Sequence, residues 1–526
     1  MGPEHPERLS PQSAEIESLL ERVRHQQLSE QDFGLLERLL RLLLSVARLL
    51  EQKQASLARL RRLLFGSPPD PPSAPPPLAS PSPVRTDQET APPPESQRSG
   101  HGRRSSSDYS GAVRVRCTDP QRQAGDRCAC GGRLYDTNEP AIFLRFTGQP
   151  LVGATQYEQS VLRCSSCQQR FTAPLPEGIP AEKYDATADV AMVMAKYAAG
   201  LPFHRLAEMQ QAWGVPLSES VQWERCEAVA DALLPVYLHL RTLAAQAEVL
   251  ISDDTRVQIL SCEQENQQRA ADERQGLHTT GLVASNSAAP QAMVLYVSGR
   301  KHAGENVGEL LRSRSAELAP PLQVGDALAA NWSHPIPVIA VKCLAHARRQ
   351  FTDIEDLFPE ECRQVRDALA AVYRYEAETK TMTPAQRLAH HQRYSAPVME
   401  QLRGWIDEQF QQRKVEPNSV LGKALAYLQR HWEGLTQFLR YGRAPLDSNA
   451  VERALKRVVL HRKNALFFRT EHGAAVGDIL MSVIETCRAN GVRAWEYLVK
   501  VVRNRRAVRE DPAGWLPWTD PSAQPT

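Results

Sequence analysis

At 526 residues the chain is too long for one ordinary core, which predicts three or four domains. Apolar content of 42% and charged content of 24% are those of a globular protein, and ten cysteines are too few for a disulfide scaffold. A net charge of +2 excludes a polycation, so any nucleic-acid surface must be local.

The first residues, MGPEHPERLSPQSAEIE, hold no apolar signal core. The richest apolar run, residues 35–50, is broken by Glu37, Arg38, Arg41 and Arg48. A bilayer span needs about 20 mostly uncharged residues, so no membrane partner is expected. The scattered cysteines fit a reducing, cytoplasmic compartment. Residues 13–64 read as helix, with Ser29-Glu30-Gln31-Asp32 resembling a capping box before a Leu-rich run. This stretch is either an oligomerisation or DNA-binding arm or a helical hairpin packed on the rest. Residues 66–100 hold twelve of the 38 prolines and read as an extended linker.

Residues 111–180 carry two cysteine pairs, Cys128-Ala-Cys130 and Cys164-Ser-Ser-Cys167. Four thiolates on two turns are what a structural, tetrahedral Zn²⁺ ion requires. The first pair has one spacer residue, which strains that geometry and leaves His101 or another ligand as a substitute. Residues 181–246 read as helices, with a helix-turn-helix conceivable around a Gly turn. At residue 247 the pattern changes. AEVLISDD, HTTGLVAS, AMVLYVSG, PLQVGDAL and PVIAVKCL are short β-branched runs separated by turn residues, predicting a sheet of about five strands. Residues 345–440 return to helical periodicity.

One stretch stands out. PLDSNAVERALKRVVLHRKNALFF carries a single acid, Glu452, ahead of six Lys/Arg and no Asp or Glu between Arg453 and Thr470. Wound as a helix, Val451, Ala454, Leu455, Val458 and Val459 share one half, and Glu452, Arg453, Lys456 and Arg457 the other. Ser448 or Asn449 is the expected N-cap. Dipole compensation with an i,i+4 pair to Lys456 would explain the glutamate, for tenths of a kcal/mol. Two further acids give it another meaning. Asp253 and Asp254 end one strand on opposite faces, and Asp326 ends another. Three carboxylates drawn together repel unless divalent cations lie between them. Two Mg²⁺ ions so held serve phosphodiester chemistry, and the neighbouring cations would then hold DNA phosphates.

ISDDT, RKHAGENVGELL, CLAHARRQF, and PLDSNAVERALKRVVLHRKNALFF with its continuation GAAVGDILMSVIETCRANG resemble the transposase of the insertion sequence 66 family. The resemblance covers nearly the whole chain outside the Pro-rich linker. It implies a bacterial DDE-type transposase: an α/β RNase H-like catalytic core with a helical insertion, an N-terminal helical region and a zinc-ribbon domain. The implied organisation is an N-terminal helical region at 1–65, a linker at 66–110, a zinc ribbon at 111–180, a helical DNA-binding region at 181–246, a catalytic domain at 247–500 with its insertion at about 350–440, and a basic tail at 501–526. Carried over by motif, the catalytic acids are Asp253, with Asp254 as its alternative, Asp326 and Glu452, holding two Mg²⁺ or Mn²⁺. His346, Arg348 and Arg349, with Arg453, Lys456, Arg457, His461, Arg462 and Lys463, are the expected DNA contacts. The implied partners are double-stranded DNA at transposon ends and target, further copies of the chain on that DNA, and small accessory proteins of the same element, in a nucleoid-associated, cytoplasmic setting. Ser448 stands where the family has Asn, and Cys128-Ala-Cys130 where it has Cys-x-x-Cys. A non-catalytic zinc-ribbon DNA-binding protein and an RNase H-like nuclease acting on RNA or hybrids are the competing readings.

Overall fold

The computed structural model describes residues 151–519, except 164–169, 181, 271–272 and 287–290, together with short stretches within 19–36 and 124–130. Contacts divide the chain into residues 1–138 and 139–526, described here separately. In the first unit the expected capping box is present. Ser29 N donates to Asp32 Oδ2 at 2.9 Å, Asp32 N donates back to Ser29 Oγ at 3.3 Å, and Arg22 pairs with Asp32 at 2.9 Å. The remainder of the predicted N-terminal helix and the Pro-rich linker lie outside the described residues.

The second unit begins with a two-stranded ribbon, β1 (Val161–Arg163) and β2 (Arg170–Thr172), followed by helices α1 (Ala186–Val193), α2 (Phe203–Ala212) and α3 (Glu219–Ala245). Asp185 and Ser218 cap α1 and α3 through their side chains. α3 is long and apolar enough to cross a membrane, but about half of that stretch is buried in the core, including Val229, Leu233, Val236 and Leu240.

All five predicted strands form. They are β3 (Val249–Arg256), β4 (His278–Ser285), β5 (Ala292–Gly299), β6 (Leu322–Gly325) and β7 (Ile339–Lys342). β3, β4 and β5 make an antiparallel meander; β6 then adds parallel to the free edge of β3 and β7 parallel to β6, giving the order β5-β4-β3-β6-β7. Short helices α4 (Leu260–Asn266) and α5 (Ala303–Leu311) bridge β3 to β4 and β5 to β6. The predicted helical stretch follows as α6 (Leu344–Thr352), α7 (Pro359–Glu378), α8 (Pro384–Gln411) and α9 (Val420–Leu435). α10 (Asn449–Ala465), α11 (Glu471–Ala489), α12 (Ala494–Arg503) and α13 (Arg505–Glu510) complete the unit.

α10 returns to the sheet and lies on β3 and β4. Its apolar stripe is the predicted one: Val451, Ala454, Leu455 and Val458 are buried. Gly281 makes the approach possible, since a Cβ there would stand 2.9 Å from Leu455 Cδ2 and 3.1 Å from Val451 Cγ2. The free edge of β5 is closed by α11. Asn490 Oδ1, Thr486 Oγ1, Ser482 Oγ and Asp478 Oδ2 accept from the backbone N–H of Ala292, Val294, Tyr296 and Ser298. Four helical residues advance about 6 Å and two strand residues about 6.7 Å, so side chains four apart keep pace with alternate N–H groups. The edge is thereby satisfied and shielded from foreign strands.

Candidate active site

Alternation along β3 sorts its two acids. Asp253 pairs with Gly281 and so lies on the face that α10 covers; Asp254 pairs with Thr280 on the opposite face. The parallel ladder joins Val249, Leu250 and Ile251 to Leu322, Gln323 and Val324. Continued two residues, that register sets Asp253 beside Asp326, just past the end of β6. Burial raises the Asp253 carboxyl to about 6, and Asp326 adds to the rise, while the Asp254 backbone N–H and the nearby His346 oppose it.

Glu452 reaches this edge from the first turn of α10. The loop before it is stapled to the start of α6: Leu344 N donates to Leu446 O at 2.9 Å, and Ser448 N to Cys343 Sγ at 3.3 Å. Ser448 occupies the expected N-cap position without capping. Its hydroxyl instead donates to Glu452 Oε1 at 3.4 Å. Asp447 takes the turn-forming role, accepting from Asn449 N at 3.0 Å and from the Tyr373 hydroxyl at 3.0 Å. Glu452 does not pair with Lys456; its recorded ionic neighbour is His346, with Nδ1 at 3.8 Å from Oε1.

His346, expected from the sequence as a phosphate contact, here has the intramolecular neighbours Cys343, Glu452 and Asp326. The Cys343 sulfur beside it, reinforced by Glu452 and Asp326, raises its imidazole to about 9 against the opposing effect of burial. Burial raises the Cys343 thiol, but His346 and Ser448 outweigh that and lower it overall. The buried Nδ1 of His346 has no hydrogen-bond partner. A groove of about 430 Å³ opens beside this group, lined by Asp326, Leu328, His346, Arg349, Gln350 and Tyr427.

The three acids share a pattern of satisfaction. One Asp253 oxygen accepts from Asp254 N at 2.8 Å, Asp326 Oδ1 accepts from Leu328 N and Asn331 Nδ2 at 3.0 and 2.6 Å, and Glu452 Oε1 accepts from Ser448. The second oxygen of each has no hydrogen bond among the described residues. Oriented carboxylates with one oxygen to spare fit hard divalent cations such as Mg²⁺. Two groups among the described residues have donor atoms within 4.8 Å of one another: Cys343, His346 and Glu452, and Asp254, His278 and His302. Neither contains all three acids, so the ligand atoms of Asp253, Asp326 and Glu452 do not all lie within 4.8 Å of one another.

A family model described as "Transposase IS66 family" matches residues 184–476, a span that contains Asp253, Asp326, His346 and Glu452. The chain belongs to the IS66 transposase family. Among similar proteins, the uncharacterized protein y4jD of Sinorhizobium fredii (strain NBRC 101917 / NGR234) is 28% identical over 350 residues, which is 64% of this chain and 66% of that protein. The uncharacterized protein y4hP of the same organism is 26% identical over 357 residues, 63% of this chain and 62% of that protein. The chain thus aligns with somewhat less than two thirds of either relative.

Placement of the other expected residues in this IS66-family chain is uneven. Arg348, Arg349, Arg453, Lys456, Arg457 and Lys463 are exposed. Arg462 is half-buried and donates to Thr255 Oγ1 at 3.2 Å and to the Arg256 carbonyl, tying α10 to β3. His461 requires a correction: it is 3% exposed and stacked between Tyr197 and Phe468, with centroids at 5.6 and 5.4 Å, so it cannot reach a phosphate. Burial, with Lys196 nearby, pushes its imidazole down to about 3. Cys130 is exposed. Cys128, Cys164 and Cys167 lie outside the described residues. Sequence reasoning missed Cys343, Lys342 and Tyr427. Lys342 lies 3.1 Å over the Trp332 ring, and burial lowers its amine to about 8 while Asp326 opposes the shift. Its position at the end of β7, just ahead of His346, is the signal that marks it.

Proposed function

We propose that the chain is a DDE-type DNA transposase that cleaves and joins DNA at the ends of an insertion sequence. What supports this reading is the register that sets Asp253 beside Asp326 across the β3–β6 ladder, with His346 interacting with both and with Glu452 on α10, each acid keeping an unpaired oxygen. The mixed order β5-β4-β3-β6-β7, with acids at adjacent strand ends, supports an RNase H-like core interrupted by the α7–α9 insertion.

In this reading Asp253, Asp326 and Glu452 hold two Mg²⁺ or Mn²⁺ ions, which when bound supply Lewis acidity toward the phosphate and its nucleophile. The protein's own groups do the rest. The charged His346 opposes the rise that burial imposes on the Asp253 carboxyl and lies beside Glu452. Arg349 lines the groove and neutralises a phosphate, while Arg348, Arg453, Lys456, Arg457 and Lys463 hold the flanking backbone. Cleavage at the element's end leaves a 3′-hydroxyl that attacks target DNA, with no covalent protein intermediate. Assembly of several copies on the paired ends follows from joining two DNA ends. A Zn²⁺ ion on Cys128, Cys130, Cys164 and Cys167 would support DNA contact.

The test is Mg²⁺- or Mn²⁺-dependent cleavage of a labelled transposon-end duplex, wild type beside Glu452→Gln. Cleavage by the wild type alone is expected. Cleavage by both removes Glu452 from the site. Duplex binding without cleavage by either would instead favour a non-catalytic DNA-binding protein, and cleavage restricted to RNA–DNA hybrids an RNase H-like nuclease.

A further inference from the structure

Behind Asp253, on the opposite face of β3, three side chains from three elements meet. Asp254 projects from β3. His278 begins β4 two residues before Thr280, the ladder partner of Asp254, and therefore shares its face. His302 stands at the N-cap of α5. One carboxylate oxygen and two ring nitrogens lie within 4.8 Å of one another. His302 Nδ1 is 3.2 Å from Asp254 Oδ2. Two ligands at 2.0–2.1 Å from a tetrahedral ion stand about 3.3 Å apart, so this spacing already suits one.

The surroundings are built to hold the carboxylate. Its Oδ1 accepts from Thr280 Oγ1 at 2.6 Å, and Thr280 in turn accepts from Asn306 Nδ2 at 2.8 Å. Its Oδ2 accepts from Ala303 N at 2.8 Å, at the start of α5. Ligating carboxylates are oriented by such outer partners. A plain hydrogen bond accounts for Asp254 and His302, but not for His278. The side chain of His278 has no hydrogen bond among the described residues, and its ring lies 4.1 Å from that of His302 at an inclination of 41°, neither stacked nor edge-on. All three residues are partly exposed, which leaves an entry path.

We propose that Asp254, His278 and His302 form a transition-metal site with an open fourth position, clamping the N-terminus of α5 to β3 and β4. Two imidazoles and one carboxylate select Zn²⁺, Co²⁺ or Ni²⁺ over Mg²⁺ or Ca²⁺. The site is distinct from the Asp253, Asp326 and Glu452 group and from the cysteine pairs, and it stands whether or not the chain is a transposase.

Cobalt separates the three sites. The chelator-stripped full chain is titrated with Co²⁺ in excess Mg²⁺, which keeps the acidic site filled, and followed by absorption and equilibrium dialysis. Thiolate-to-cobalt charge transfer in the near ultraviolet reports cysteine ligands; visible bands without it report a nitrogen–oxygen site. The wild type should bind one more Co²⁺ than His278→Gln, with the nitrogen–oxygen bands weakened in that variant and the charge-transfer bands unchanged. The affinity loss should exceed the roughly 10- to 100-fold typical of removing an outer-shell partner. His302→Cys should gain a new charge-transfer band, and it decides the matter alone if His278→Gln folds poorly. Equal stoichiometry and spectra in wild type and His278→Gln, or no added band in His302→Cys, overturn the proposal. Cleavage by the wild type and its dependence on Glu452 are read separately and would be unaffected by that outcome.

Discussion

On the α10 face of β3, Asp253 keeps one oxygen unpaired beside a second acid and a charged imidazole. One residue on, on the α5 face, Asp254 commits both oxygens to Thr280, His302 and the α5 N-terminus. Both acids lie in the same strand and pair with β4. What differs is satisfaction: Asp253 retains an oxygen with no protein partner, whereas both oxygens of Asp254 are oriented by protein donors. A buried carboxylate left incomplete is destabilising in the free protein, and its raised titration records that cost.

The sharpest break of the comparison is an exchange of losses between the two acids. Asp253→Asn should lower metal-dependent cleavage at least about 1000-fold with folding intact, because it removes a ligand for the Lewis acid. Asp254→Asn should retain most cleavage yet lose about 1–3 kcal/mol of stability in urea unfolding, because donors at the α5 N-terminus lose a charged acceptor. The opposite pattern would reverse the assignment of the two faces.

Next in size is Gly281→Val. Its side chain would strike Leu455 and Val451 and push α10, with Glu452, off the sheet. An ångström of displacement costs about 100-fold in rate, and the overpacking about 1–3 kcal/mol. Single-turnover cleavage and urea unfolding measure the two, and full activity would deny that α10 sets the position of Glu452.

Titration of the metal-free protein sharpens the contrast further. The Asp253 carboxyl is raised to about 6, so folding favours its neutral form. That contribution is full below the unfolded value near 3.9 and is lost as pH rises through about 6, up to about 3 kcal/mol. His346 is raised to about 9, so its contribution is full below about 6.5 and disappears as pH rises through about 9. Each group should therefore contribute a declining window, the upper one opposed by the Cys343 thiol, whose lowered titration adds stability as pH rises. Asp253→Asn should abolish the lower and His346→Gln the upper, and Asp254→Asn should leave both in place.

The smallest effects belong to the exposed cations. Lys456→Ala or Arg457→Ala should each lower the salt dependence of duplex binding by about one unit of slope. His461→Ala should leave that slope unchanged and lower stability, as befits a buried ring.

The sequence carried the strands because β-branched runs and turn residues mark them, and it carried α10 because its apolar residues recur with helical period. The choice between Asp253 and Asp254 was not legible: alternation puts them on opposite faces, but which face meets α10 depends on a helix almost 200 positions away. The burial of His461 was hidden for the same reason, since Tyr197 stacks on it from a distant segment amid basic neighbours that look solvated. Ser448 reads as a cap from its type alone. Its coupling to Glu452 and Cys343 exists only once the loop is stapled to α6.

That staple has a consequence for how such a chain varies. The Ser448–Cys343 hydrogen bond joins residues 105 positions apart, and the Leu344–Leu446 bond closes the same span at its base. The helices between them, α6 to α9, pack on the sheet's core and bring His346, Tyr373 and Tyr427 up to that clasp. Doubling the length of a flexible loop costs only about 0.6 kcal/mol in closure entropy. Length changes in the turns that join these helices should therefore cost little, so long as the clasp keeps Glu452 at the sheet edge.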